Sequence, residues 1–185
     1  MHRKTRPTLS FFGLVLLFGL LRTPCLWAHS MHQTAVLLDF RGNTVEAELQ
    51  LPVDRLVISF RQPIDDQTFP TQKAALGGYI LEHLHPVTPD GKAFTDTLES
   101  MALQTVENAP YLVVHVRFTP PKKSSVDQFT LNYDVITHEI VTHVVLVYLR
   151  SDDRLSKQPE EPCVIGLIRG EKKWVKVDRS RLKVG

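Results

Sequence analysis

The stretch Thr44-Val45-Glu46-Ala47-Glu48-Leu49-Gln50-Leu51 alternates without a break. Val45, Ala47, Leu49 and Leu51 fall on one side and Thr44, Glu46, Glu48 and Gln50 on the other, the period of a half-buried strand. Arg41-Gly42-Asn43 stands before it, and Gly42 or Asn43 can take positive φ, so the spacing predicts a hairpin with a first strand over 31–40. Beyond Leu51 the period changes. Val53, Leu56, Val57 and Phe60 recur at helical spacing, and Pro52 suits a first helical turn, which predicts a short helix over 53–60 with its apolar stripe turned to the sheet.

Further along, Leu76, Tyr79, Ile80, His83 and Leu84 share one side of a second predicted helix, Gln72 to His85, stopped by Pro86 and Pro89. The glycine pair Gly77-Gly78 weakens its middle by about 1 kcal/mol per glycine relative to alanine. From residue 92 onward the signals are mostly strand: Phe94 to Val106, Tyr111 to Phe118 after an Asn108-Ala109-Pro110 connection, Phe129 to Tyr133, Val164 to Arg169, and Trp174 to Val177. The valine-rich run Ile140 to Leu149 reads as a central strand covered on both sides. Many short strands with turn signals every ten or so residues predict a mainly β fold, an immunoglobulin-like β-sandwich decorated by two short helices. The alternative is an α+β single sheet with two helices.

Residues 1–28 read as a secretory signal peptide: a basic head, Arg3-Lys4-Thr5-Arg6, an apolar run from Leu9 to Leu21, and Ala28 at the cleavage position. The 13-position run is shorter than the roughly 20 residues that cross a bilayer as a helix. Residues 29–185 then form a single extracytoplasmic β-rich domain, periplasmic or secreted. The alternative is a protein anchored to the membrane by an uncleaved N-terminal segment. The formal charge is +2, but four basic residues precede the cleavage position, and the remainder holds 18 basic against 20 acidic residues, a net of −2. That balance argues against a nucleic-acid-binding surface. Only Cys163 remains after cleavage, so no internal disulfide is expected.

No GxSxG elbow, HExxH motif, phosphate loop or dinucleotide fingerprint occurs, and the domain reads as noncatalytic. Seven histidines remain after the leader, and imidazole suits copper, nickel and zinc. His29, as the new N-terminus, offers an amino and a ring nitrogen to copper or nickel, with His32 beside it. The plain alternative is a frayed terminus. His138 and His143 are five apart, which on a regular strand points them to opposite faces, so only a turn or bulge joins them at one ion. His83 and His85 read as helix-capping or solvated residues and His115 as a hydrogen-bonded sheet residue. Around Trp174, the residues Lys172, Lys173, Lys176, Arg179, Arg181 and Lys183 form the most uneven local charge, suited to lipid headgroups or an acidic partner. A solvated terminal strand is the plainer reading.

Ala28-His29, Leu37-Leu38-Asp39-Phe40, Val45 through Leu56, and Phe129-Thr130-Leu131-Asn132-Tyr133-Asp134-Val135-Ile136 with His138 and Val144 to Val147 carry a resemblance. The chain resembles the extracytoplasmic N-terminal region of HupE/UreJ-related bacterial membrane proteins, over most of residues 28–185. That resemblance implies an envelope protein with an integral membrane protein as partner, in a setting of nickel or other metal permeation. The family's multi-helix membrane domain does not follow here, so the expectation is a stand-alone, split or truncated member rather than a transporter. The resulting functional expectation is a periplasmic binding module assisting an envelope system, with copper or nickel as its metal. Its alternative is a structural adaptor that docks to a membrane partner without metal.

Overall fold

The computed structural model describes residues 32–181, so the expected leader, His29 and Lys183 lie outside the described residues. The strands and helices run β1 (Thr34–Arg41), β2 (Thr44–Pro52), α1 (Val53–Phe60), α2 (Phe69–Glu82), β3 (Leu84–Val87), β4 (Thr95–Val106) and β5 (Ala109–Thr119). They continue as β6 (Gln128–Tyr133), β7 (Val145–Asp152), β8 (Cys163–Ile168) and β9 (Trp174–Asp178), followed by a 3-10 turn, Arg179–Arg181. The fold is mainly β with two helices, as the alternation predicts. A six-stranded sheet has the order β4-β5-β2-β1-β7-β8, and a three-stranded sheet the order β3-β6-β9.

The two sheets share one core, a sandwich to which α1 and α2 add cover. Val36, Leu38 and Phe40 of β1 point inward with Leu49 of β2, Val114 of β5 and Val147 of β7, and all are shut off from solvent. From the smaller sheet Phe129, Leu131, Val175 and Val177 meet them, with the Phe40 and Phe129 rings 6.4 Å apart. Gly166 of β8 is a close point of contact: a Cβ built there would stand 2.3 Å from a Val175 methyl. Alternation shapes this arrangement, because β1, β2, β6, β7 and β9 each offer an apolar face for the core to take.

The predicted β1–β2 hairpin is present, with Arg41 opposite Thr44 and Gly42 at φ 57°. Helix α1 spans the predicted residues and ends where Arg61 turns left-handed, its N–H donating to the Val57 carbonyl. Helix α2 starts earlier than predicted, because Pro70 is accommodated in its first turn. It also stops earlier, at Glu82, and His85 belongs to β3, a strand the sequence reading had not separated from the helix. Gly77 sits where α2 presses on β4, with Leu98 and Met101 against its missing side chain. The β4–β5 turn falls on Glu107 and Asn108, both at positive φ, so Ala109 and Pro110 already pair with Val106 and Thr105.

The run from Ile140 to Leu149 is not one strand. Its first half is wound into turns in which the Ile140 N–H donates to the Ile136 carbonyl and the His143 N–H to the Ile140 carbonyl, both at 2.9 Å. β7 begins only at Val145 and alternates buried Val145, Val147 and Leu149 with half-buried Leu146 and Tyr148. It is therefore covered on one face and not on both. The opposite face of the large sheet carries an ion cluster in which Arg150 reaches Asp39 and Glu48. Burial works to raise both carboxyls, but hydrogen bonds from Arg150 with Ser151 or Gln50, together with the Arg150 charge, hold them below the usual range. No described helix is long and apolar enough to cross a membrane.

Candidate metal centre

Helix α2 hands the chain directly to β3 through His83, its C-terminal cap. The antiparallel register of β3 and β6 sets Leu84 opposite Tyr133, which brings His83 beside Asp134, the residue after β6. The Asp134 N–H donates to the His83 carbonyl at 3.0 Å and locks the two segments together. From Asp134 the chain makes a helical turn, so that the His138 N–H donates to the Asp134 carbonyl at 3.1 Å. Sequence positions 83, 134 and 138 thus converge.

One aspartate orients both rings. His83 Nδ1 lies 2.8 Å from Asp134 Oδ1, and His138 Nδ1 lies 2.7 Å from the Asp134 carbonyl oxygen. A carbonyl only accepts, so His138 Nδ1 carries the proton, and beside an ionised carboxylate the same holds for His83. In the neutral rings both Nε2 atoms are left with free lone pairs. The rings stack with centroids 4.2 Å apart and planes 12° from parallel, and each side chain is 21% exposed. His83, Asp134 and His138 each offer a ligand atom, all within 4.8 Å of one another. Imidazole nitrogens oriented by hydrogen bonds to a carboxylate and a backbone carbonyl are the usual support of metal-binding histidines.

The surroundings fix the rings further. Tyr79, one helical turn before His83, packs its ring 4.8 Å from His83 and 5.9 Å from His138, and its hydroxyl donates to the Val135 carbonyl. Burial raises the Tyr79 phenol above its ordinary range, so it stays neutral. Lys173 Nζ stands 3.6 Å from the second Asp134 oxygen, and Glu139, 4.0 Å from His138 Nε2, is held by Arg61.

The sequence-derived candidates fall in different places. His29 lies outside the described residues. His32 is part-exposed, 3.6 Å from Asp54 and edge-on to the Tyr111 ring. His143 is not beside His138. It is buried, with Nε2 2.9 Å from the Thr34 hydroxyl, and burial assisted by Arg55 lowers it to about 4. That environment suits a neutral ring hydrogen-bonded within the fold. His138 keeps its candidacy, but its neighbours are His83 and Asp134. His83 is the helix cap that its position predicts, and its pairing with Asp134, of which the sequence gives no local sign, is what the fold adds. His115 pairs across from Glu48, within the sheet as expected.

The basic stretch also divides. Lys172 lies over the Trp174 ring at 5.2 Å, Lys176 is exposed on β9, and Arg181 pairs with Asp178. Lys183 lies outside the described residues. Arg179 does not belong with a contact surface. Its side chain is 2% exposed, paired with Asp152 and Asp153 and stacked on Phe40, so it serves the core. Comparison with protein-family models gives no match, and comparison with curated proteins gives none.

Proposed function

We propose that this chain is a noncatalytic extracytoplasmic binding module that holds a divalent transition-metal ion through Nε2 of His83 and His138, with Asp134 orienting both rings, for an envelope membrane partner. The observation that carries the reading is the convergence of two imidazoles on one aspartate, with Nδ1 of each ring already occupied and Nε2 of each left as a lone-pair donor. Two imidazole nitrogens favour copper(II), then nickel(II), in the order of divalent affinities. The resemblance to HupE/UreJ-related envelope proteins supports the same setting.

Isothermal titration of the full chain with Cu(II) and Ni(II) tests it. One ion per chain is expected. His83→Ala and His138→Ala should each weaken uptake by at least the roughly 10–100-fold that loss of an orienting group costs. His32→Ala should leave it unchanged, and acidification should release the ion as the rings take protons. Unchanged affinity in the His83→Ala/His138→Ala double variant would overturn the assignment, and loss in His29→Ala alone would move the site to the N-terminal segment.

A further inference from the structure

The outer face of the smaller sheet carries an exposed indole next to lysines. Val175 and Val177 of β9 point into the core, so Trp174 and Lys176 point out, and the indole remains 43% exposed. Lys172 places its ammonium over that ring, and Lys173 is half-exposed beside it. Across the sheet, the row through Trp174 continues into Asn132 and His85, and the row through Lys176 into Thr130 and Val87. Neither row contains a carboxylate. The next row does, at Asp178, but that group is occupied by Ser180 and Arg181. A second apolar side chain, Val141, is 49% exposed, and its carbonyl accepts the Gly170 N–H of the turn that leads to Lys172.

We propose that this face, Trp174 with Lys172, Lys173 and Lys176, seats the domain on an anionic lipid surface. An indole prefers the headgroup level of a bilayer, where its ring is apolar and its N–H can stay hydrated. Lysines around it are drawn by the negative surface potential of anionic lipids. A lipid surface fits better than an acidic peptide, because Trp174 and Lys176 stand on an open strand face with Lys172 over the indole and Lys173 next in the chain, an arrangement that a broad anionic plane can meet. A peptide would need a groove to hold its backbone, and the concavities along β9 offer it only Lys176 and Arg181, with Asp178 lining both and paired with Arg181. The inference is independent of the metal reading, although the site adjoins the metal centre through Lys173.

The test uses the full chain carrying Trp27→Phe, which leaves Trp174 as the single tryptophan and makes its emission a local report. Vesicles of phosphatidylcholine with phosphatidylglycerol should blue-shift that emission, and pure phosphatidylcholine should not. The triple variant K172Q/K173Q/K176Q should lose about fivefold in partitioning per lysine, roughly a hundredfold together. Circular dichroism should show it folded, because none of the three side chains is buried. High salt should reverse the shift. Absence of a shift on anionic vesicles, or an equal shift on both kinds, would overturn the proposal. A shift with polyglutamate and none with vesicles would overturn it in favour of an acidic protein partner.

Discussion

The Arg179 guanidinium lies over the Phe40 ring, 4.8 Å from its centroid, at the seam where the end of the smaller sheet meets the larger one. It is also bound to Asp152, whose side chain is 3% exposed. The pair therefore joins β7 to the segment after β9 inside the protein. Burial works to raise the Asp152 carboxyl, and Arg179 together with the Arg154 N–H holds it below the ordinary range. Arg179→Ala should cost about 3–5 kcal/mol, because it strands a buried carboxylate. Urea unfolding at pH 7 checks this. In the wild type the stabilisation is present above the unfolded carboxylate range and fades as pH falls through the lowered folded value. A variant within 1 kcal/mol of wild type would refute the role.

His143 gives a second, separable acid sensitivity. Its folded value of about 4 lies below the ordinary 6.5, so the unfolded chain takes up a proton first. Stability from the neutral ring is complete above about pH 6.5 and is lost as pH falls towards 4, about 3 kcal/mol at full extent. Arg55 opposes the charged ring and Asp54 favours it. His143→Gln should flatten the pH dependence of unfolding between 6.5 and 4. An unchanged slope there would reject the assignment.

Asp96 predicts the opposite trend. Burial lifts it to about 7, and one of its carboxyl oxygens is buried without a hydrogen-bond partner. The unfolded carboxyl ionises near pH 4 and the folded one near 7, so stability declines as pH rises between them. Asp96→Asn should raise stability at pH 8 by about 2 kcal/mol and change little at pH 4. Chemical denaturation at the two pH values decides it, and no gain at pH 8 would count against it.

At the contact between the sheets, Gly166→Ala should destabilise by about 1–3 kcal/mol through overpacking against Val175. Val175→Ala in the same chain should recover part of that loss, since it removes the two closest methyls. Additive losses in thermal unfolding of the double variant would show that the two positions do not meet.

Metal should stabilise the folded protein. At a hundredfold excess over Kd, Cu(II) should add about 2.7 kcal/mol. Asp134→Asn should abolish most of this while the protein stays folded. Equal gains in wild type and Asp134→Asn, read by thermal unfolding with and without a chelator, would exclude the aspartate.

Where a pattern is local, the sequence discloses it. The alternation at residues 44–51 and the stripe through Val53, Leu56, Val57 and Phe60 specify β2 and α1 closely, because each element's buried face is encoded in its own period. The valine run misleads because hydrophobicity alone does not choose between strand and turn, and Val141 is in fact exposed. The metal centre was legible in one residue of three. His138 stood out, but its pairing with His83 and Asp134 depends on the β3–β6 register across some fifty positions of chain. Arg179 misled for a similar reason, since its acidic partners at Asp152 and Asp153 lie 27 and 26 residues away.

The parallel alignment of β1 with β7 matters for the order of assembly. Thr34 is matched with Val145, so the first strand lies between a partner supplied at once, β2, and one supplied more than a hundred residues later. During vectorial synthesis the β1–β2 hairpin emerges with one edge open, and that edge stays open until residues 145–152 arrive. Loop closure of that length slows folding, and an open edge invites pairing with another chain. Completion of the larger sheet is therefore held until β7 has been made, and a chain interrupted before it leaves the β1 edge unpaired.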